Sequence, residues 1–301
     1  MSLLIVGSLA FDTIETPRGR REKIAGGSGT YCALAASFFT QPRIVGVVGE
    51  DFPPDILDLF KSRGIDTRGV EHRAGKTFHW EGRYGIDPNQ RTTVKTELNV
   101  FGDFRPRIPA ELRNNDIVFL ANVDPDLAGS VLEQVSRPRL IALDTINHWI
   151  LNKPEALFKA LGRVDVFFAN DEEIKLITQE VNLIRAGKKA LELGPKIVVV
   201  KKGEHGAFIF GRDRFFGVIA LPFEDVVDPT GAGDSFAGGF LGYLDKARSF
   251  GRSWREVRRA AVFGSVVASF SIEDFGIDRF RRLEPAEIED RFRSFKKLVA
   301  F

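Results

Sequence analysis

The chain has 301 residues and a formal net charge of +2, with 44% hydrophobic and 28% charged residues. That balance suits a protein that buries a full core, and it argues against nucleic-acid and membrane-surface partners. The single cysteine, Cys32, excludes an internal disulfide and a cysteine-built zinc site.

The opening MSLLIVGSLAFDTIE has no basic leader and only a short apolar run, so it reads as a buried first strand, Leu3–Gly7. No apolar run approaches a membrane span, and a cytoplasmic protein is the expectation. Further apolar runs at Arg43–Gly49, Asp116–Asn122, Arg139–Asp144, Val164–Asn170 and Lys196–Lys201 predict strands. They are too apolar to be half-exposed, as expected of strands covered on both faces. Helical patterns lie between them at Gly29–Phe39, Pro54–Arg63, Pro125–Val135, Pro154–Leu161 and Asp171–Thr178. The alternation predicts one α/β domain over residues 1–301: a doubly wound, mostly parallel sheet flanked by helices. Ligands in such sheets bind beyond the carboxyl ends of the strands, where Asn122, Asp144, Asn170 and Lys201 fall.

Two segments break the pattern. Residues 12–25 are polar and extended, and residues 76–98 alternate around a DPNQ turn, as a hairpin does. The alternation puts Phe78, Trp80 and Tyr84 on one face of that hairpin. Together the two segments predict a small β lid. From Gly231 onward the chain reads as mainly helical.

The stretch DPTGAGDSFAGGF, Asp228–Phe240, is a glycine turn that opens a helix. Gly231, Ala232 and Gly233 let backbone N–H groups face a ligand, and the helix start adds unpaired donors and a positive dipole end. The product is an anion site, with phosphate its commonest occupant. Asp234 beside it is either a first-turn acid favoured by the dipole or a base for a hydroxyl that attacks a phosphoryl group. There is no Gly-x4-Gly-Lys-Ser/Thr loop, and Phe236 stands where a dinucleotide fingerprint needs glycine. EDFG, Glu273–Gly276, has no His-Arg-Asp loop before it and is a chance match to a kinase triplet.

DPTGAGDSFAGGFLGYL resembles the C-terminal signature of the ribokinase-like, PfkB-type carbohydrate kinases. GSLAFD (Gly7–Asp12), GGSGTYCALAA (Gly26–Ala36), NDEE (Asn170–Glu173) and KKGEHGAFIF (Lys201–Phe210) fall in that family's order, so the likeness spans almost the whole chain. The resemblance implies a ribokinase-like fold. It also implies a kinase that moves the γ-phosphoryl of ATP to a hydroxyl of a sugar or polyol, with a nucleoside kinase or a catalytically silent relative as alternatives. Asp234 would be the general base and Gly231, Ala232 and Gly233 the anion hole. Asn170 and Glu173 would organise Mg²⁺ through water; their three-residue spacing also matches a capping box. Lys201, Gly203 and Gly206 would border the nucleotide, although the two glycines could equally mark a hairpin turn. Asp12 would hold acceptor hydroxyls, or be a turn residue, with Gly26 and Gly27 allowing close approach. The backbone of Asp228 and Thr230 would bind a monovalent cation, K⁺ being the candidate.

The chain departs from the pattern at Tyr31, where the family usually has Asn. Trp80 and the other lid aromatics could stack on the acceptor, form lid core, or join two lids into a homodimer.

Overall fold

The computed structural model describes residues 2–300. In chain order its strands are β1 (Leu3–Gly7), β2 (Ala10–Thr16), β3 (Gly19–Gly26), β4 (Arg43–Val48), β5 (Asp66–His72), β6 (Phe78–Tyr84), β7 (Arg91–Glu97), β8 (Ile117–Ala121), β9 (Leu140–Asp144), β10 (Val166–Asn170), β11 (Ile197–Lys201), β12 (Ala207–Gly211) and β13 (Arg214–Val218).

Nine of them form one sheet in the order β13-β12-β11-β10-β9-β8-β1-β4-β5. The strands from β11 to β5 run parallel, and β12 and β13 close one edge antiparallel. Period-two burial explains their continuous apolar sequence. Leu3 and Ile5 pack into one apolar layer while Leu4 and Val6 pack into the other. Phe168 and Val199 face the first layer; Phe167 and Val198 face the second. The first layer is covered by the helices Ser28–Ser37, Ala232–Lys246 and Trp254–Ser271. The second is covered by Pro125–Gln134, Pro154–Leu161, Asp171–Thr178 and Leu183–Leu191. This is the expected doubly wound α/β fold.

The chain leaves β1 toward β4 on one side and returns to β8 on the other. That reversal opens a crevice beyond the carboxyl ends of the strands. The ends of β9, β10 and β11 present Asp144, Asn170 and Lys201 there.

The two exceptional segments pair with each other in a four-stranded sheet, β3-β2-β6-β7. The 12–25 segment is less polar in place than its composition implies. Strand β2 is almost wholly buried, and only β3 is exposed. Ile14, Tyr84 and Phe275 form its small core, with Trp80 and Ile24 against them. Strand β5 escapes the apolar-run criterion because DTRGVEH is a half-exposed edge strand with one buried residue, Gly69. Among the described residues, no helix is long and apolar enough to cross a membrane.

Candidate active site

The Ala232–Lys246 helix begins in the crevice. Gly231 adopts the left-handed conformation, φ 74°, and its missing side chain makes room for the Tyr31 ring. The Ala232 N–H reaches Pro229 O at 3.3 Å, and the Ser235 N–H reaches Gly231 O at 2.8 Å. The Gly233 and Asp234 N–H groups between them have no acceptor within the helix and are available to an anion. A side chain on Gly233 would come within 3.2 Å of Lys201 Nζ. The lysine thus lies against the turn, held by Asp144 Oδ2 at 2.7 Å.

Burial comes first in raising the Asp234 pKa to about 7; Asp144 adds to it, while Lys201 and Arg91 oppose it. Asp12 is buried and lies close against Gly26, where any Cβ would overlap its carboxyl group. Burial, Asp228 and Asp234 raise its pKa to about 8, against a hydrogen bond from the Gly27 N–H. Gly27 has φ 95°, and a Cβ there would meet the Ser8 carbonyl. Gly26 is therefore required by the Asp12 carboxyl group, and Gly27 by its positive φ and the Ser8 carbonyl. Lys201 stays charged: burial works against it, but Asp144, Glu173 and Asp234 outweigh burial.

Asn170 and Glu173 form a reciprocal cap. Glu173 N–H donates to Asn170 Oδ1, and Asn170 N–H donates to Glu173 Oε2, each at 2.7 Å. The capping geometry is thus realised, and it leaves Glu173 Oε1 free of it. Burial pushes the Glu173 carboxyl up, with Lys201 pulling it down. Asp228 is fully buried, and its two oxygens accept from the Thr230 N–H at 2.8 Å and the Gly276 N–H at 2.9 Å. Its carboxylate ties loops together.

A cavity of about 500 Å³ adjoins the turn, lined by Lys201, Gly203, Gly206, Gly233, Ala268 and Asn89. Gly203 and Gly206 both need positive φ, and a Cβ on Gly203 would overlap the Asn89 side chain. The hairpin tip therefore reaches the side of the crevice that holds the Gly203–Gly206 turn. Trp80, by contrast, packs within its own sheet. Its ring covers Gly82, Arg91 lies over it at 5.4 Å, and Nε1 donates to Thr93 Oγ1 at 3.3 Å.

The structure thus brings Asp12, Asp228, Asp234, Glu173, Lys201 and the glycine turn into one cluster. Sequence reasoning missed Arg91, whose charge acts on Asp12, Glu173 and Asp234. Its only signal was a basic residue opening the hairpin's return strand. Tyr84 was expected only as a face aromatic; its hydroxyl also accepts from Thr230 Oγ1 at 3.1 Å.

At the carboxyl ends of a doubly wound α/β sheet, the crevice presents a glycine turn at a helix start, and no P-loop sequence stands there. Residues 2–280 match the pfkB family carbohydrate kinases, and the chain belongs to that family. It is a phosphotransferase acting on a hydroxyl group, and membership implies ATP as donor. The chain is 28% identical over 254 residues to the cytidine kinase of Thermococcus kodakarensis, covering 82% of this chain and 90% of that one. It is 28% identical over 308 residues to a nucleoside kinase of Methanothermobacter thermautotrophicus, covering 91% and 90%. In fold it resembles the nucleoside kinase of Burkholderia thailandensis in complex with inosine, with a TM-score of 0.78, 21% identity, and coverage of 97% and 98%.

Proposed function

We propose that the protein is an ATP-dependent nucleoside kinase that phosphorylates a hydroxyl on the ribose of its acceptor. The observation that carries the kinase chemistry is the pair Asp12 and Asp234, two carboxylates raised by burial beside an open helix start. The relatives named as cytidine and nucleoside kinases favour a nucleoside over a free sugar.

Asp12 holds acceptor hydroxyls, and Asp234 takes the proton from the one that attacks. The Gly231–Gly233 turn donates N–H groups to the transferred phosphoryl oxygens, and Lys201 adds a fixed positive charge beneath it. Gly203 and Gly206 border the nucleotide, with the small sheet closing over the crevice to exclude water. Among the described residues, no group of three or more His, Cys, Asp or Glu side chains could cage a metal. Glu173 Oε1, which the cap leaves unused, would orient a water of a Mg²⁺ held mostly by phosphate and water. When bound, MgATP supplies the phosphoryl group and the cation that neutralises it. A K⁺ ion at the Asp228–Thr230 segment belongs to the same proposal, through carbonyl oxygens.

A coupled ADP-release assay with product detection, run over nucleosides, sugars and polyols, tests this reading. A ribonucleoside should give the highest kcat/KM. A sugar that outruns every nucleoside would overturn the acceptor class. ATP binding with no phosphorylated product from any acceptor would leave a catalytically silent binding protein.

A further inference from the structure

Tyr31 is a buried side chain with an unanswered polar group. It lies in the first turn of the Ser28–Ser37 helix and is 1% exposed. Its hydroxyl oxygen is buried and has no hydrogen-bond partner in the structure. Native proteins rarely leave such a group unsatisfied, because an unmade buried hydrogen bond is expensive. A phenylalanine would fill the same space without that cost.

The surroundings say what could answer it. The ring is seated on Gly231, at the turn that opens the anion site. Burial first, then Asp12, Asp228, Tyr84 and Asp234, hold the hydroxyl well above its usual pKa. It therefore keeps its proton and can donate. Asp228 is engaged by the Thr230 and Gly276 N–H groups and Asp12 by the Gly27 N–H, and no oxygen among the described residues is a hydrogen-bond partner of the Tyr31 hydroxyl. Tyr84 already accepts from Thr230. A donor left without a partner among these acids is placed to meet an oxygen that arrives with the ligand.

We propose that Tyr31 is a specificity-determining residue, its hydroxyl donating a hydrogen bond to an acceptor oxygen neighbouring the hydroxyl that Asp234 activates. The proposal deepens the nucleoside reading above and rests on it for the acceptor class. A site that offers a buried donor to one ligand oxygen rejects analogues lacking that oxygen far more strongly than an apolar pocket can. The residue thus selects for a polyhydroxylated acceptor such as a ribose ring.

The test is Tyr31→Phe, which removes one oxygen and keeps the ring on Gly231. Wild type and variant are compared on the best acceptor found and on each of its monodeoxy analogues. For a nucleoside these are the 2′-deoxy and 3′-deoxy forms. The variant should lose roughly ten- to a hundred-fold in acceptor kcat/KM, with ATP KM unchanged and thermal stability kept or raised. Its discrimination should collapse against one deoxy analogue only, because that analogue lacks the oxygen Tyr31 serves. Unchanged kcat/KM and unchanged discrimination, with only a rise in melting temperature, would overturn the proposal. An equal loss on the parent acceptor and on every analogue would overturn it too. If wild type prefers a sugar, the nucleoside reading falls, while the same comparison on deoxysugars still decides the role of Tyr31.

Discussion

Replacing Asp234 by Asn should make the protein more stable in alkali while nearly abolishing turnover. The ordinary carboxyl pKa is 3.8, and burial together with Asp144 lifts this one to about 7 in the folded chain. An acid raised on folding binds protons more readily in the native than in the unfolded state, so stability falls as pH climbs between those two values. Below about pH 4 both states are protonated and the site costs nothing; above about pH 7 the folded protein carries the full penalty. At about 1.4 kcal/mol per pH unit, a shift of roughly three units sets an upper bound near 4 kcal/mol. That bound already contains the attraction of Lys201 and Arg91; because the Asp234 side chain is only partly buried, solvent screening reduces the expected gain to about 1–3 kcal/mol in alkali. Chemical denaturation of both proteins at about pH 5 and about pH 9 reads the difference, which should be larger at the higher pH by roughly 2 kcal/mol. In the same preparation kcat should fall by about 10²–10⁴-fold, the usual worth of a general base. A stability change equal at both pH values would refute the buried-charge reasoning. Near-normal kcat in the folded variant would make Asp234 a helix-end acid and nothing more.

Glu173→Gln keeps much of the cap and removes the charge, so the Mg²⁺ concentration for half-maximal rate should rise. A lower melting temperature with a normal Mg²⁺ response would assign Glu173 to the cap alone. Gly203→Leu places a side chain where Asn89 sits and forces a positive φ on a bulky residue. It should raise ATP KM with little change in acceptor KM, and equal effects on both would place the nucleotide elsewhere. Arg91→Ala removes a cation that lowers the pKa of Asp12 and Asp234. The acid limb of its kcat/KM profile should therefore move to higher pH, and an unmoved limb would show that the guanidinium does not reach the working site.

The large sheet was legible because its physics is local. Strands buried on both faces must be apolar at every position, and Leu3–Gly7 or Ile197–Lys201 can hardly be anything else. Legibility failed where tertiary contact replaces pattern. Asp66–His72 is a strand because β4 offers it a free edge, not because its own sequence demands one. Residues 12–25 read only as polar and extended, yet Asp12 and Thr13 are buried where β2 pairs with β3 and β6. EDFG carried no kinase meaning, but its place is not arbitrary. Phe275 completes the small core, and the Gly276 N–H binds Asp228.

The candidate site divides in the same way. Its glycines were readable because a turn at a helix start constrains residue type over a few positions. The groups that set its charge were not, because they meet only after folding. Asp144 and Lys201 are 57 residues apart and pair at 2.7 Å. Arg91 reaches the acids from a strand that belongs to a different sheet. Asp12, Asp228 and Asp234 are all raised by burial, and each is raised further by a neighbouring acid: Asp12 by Asp228 and Asp234, Asp228 by Asp274, and Asp234 by Asp144. A fold selected only for stability would not keep them together, since uncompensated buried charge is among the costliest features a core can carry. Their placement beside an open helix start is what the proposed kinase site requires, where a phosphate and an acceptor hydroxyl meet.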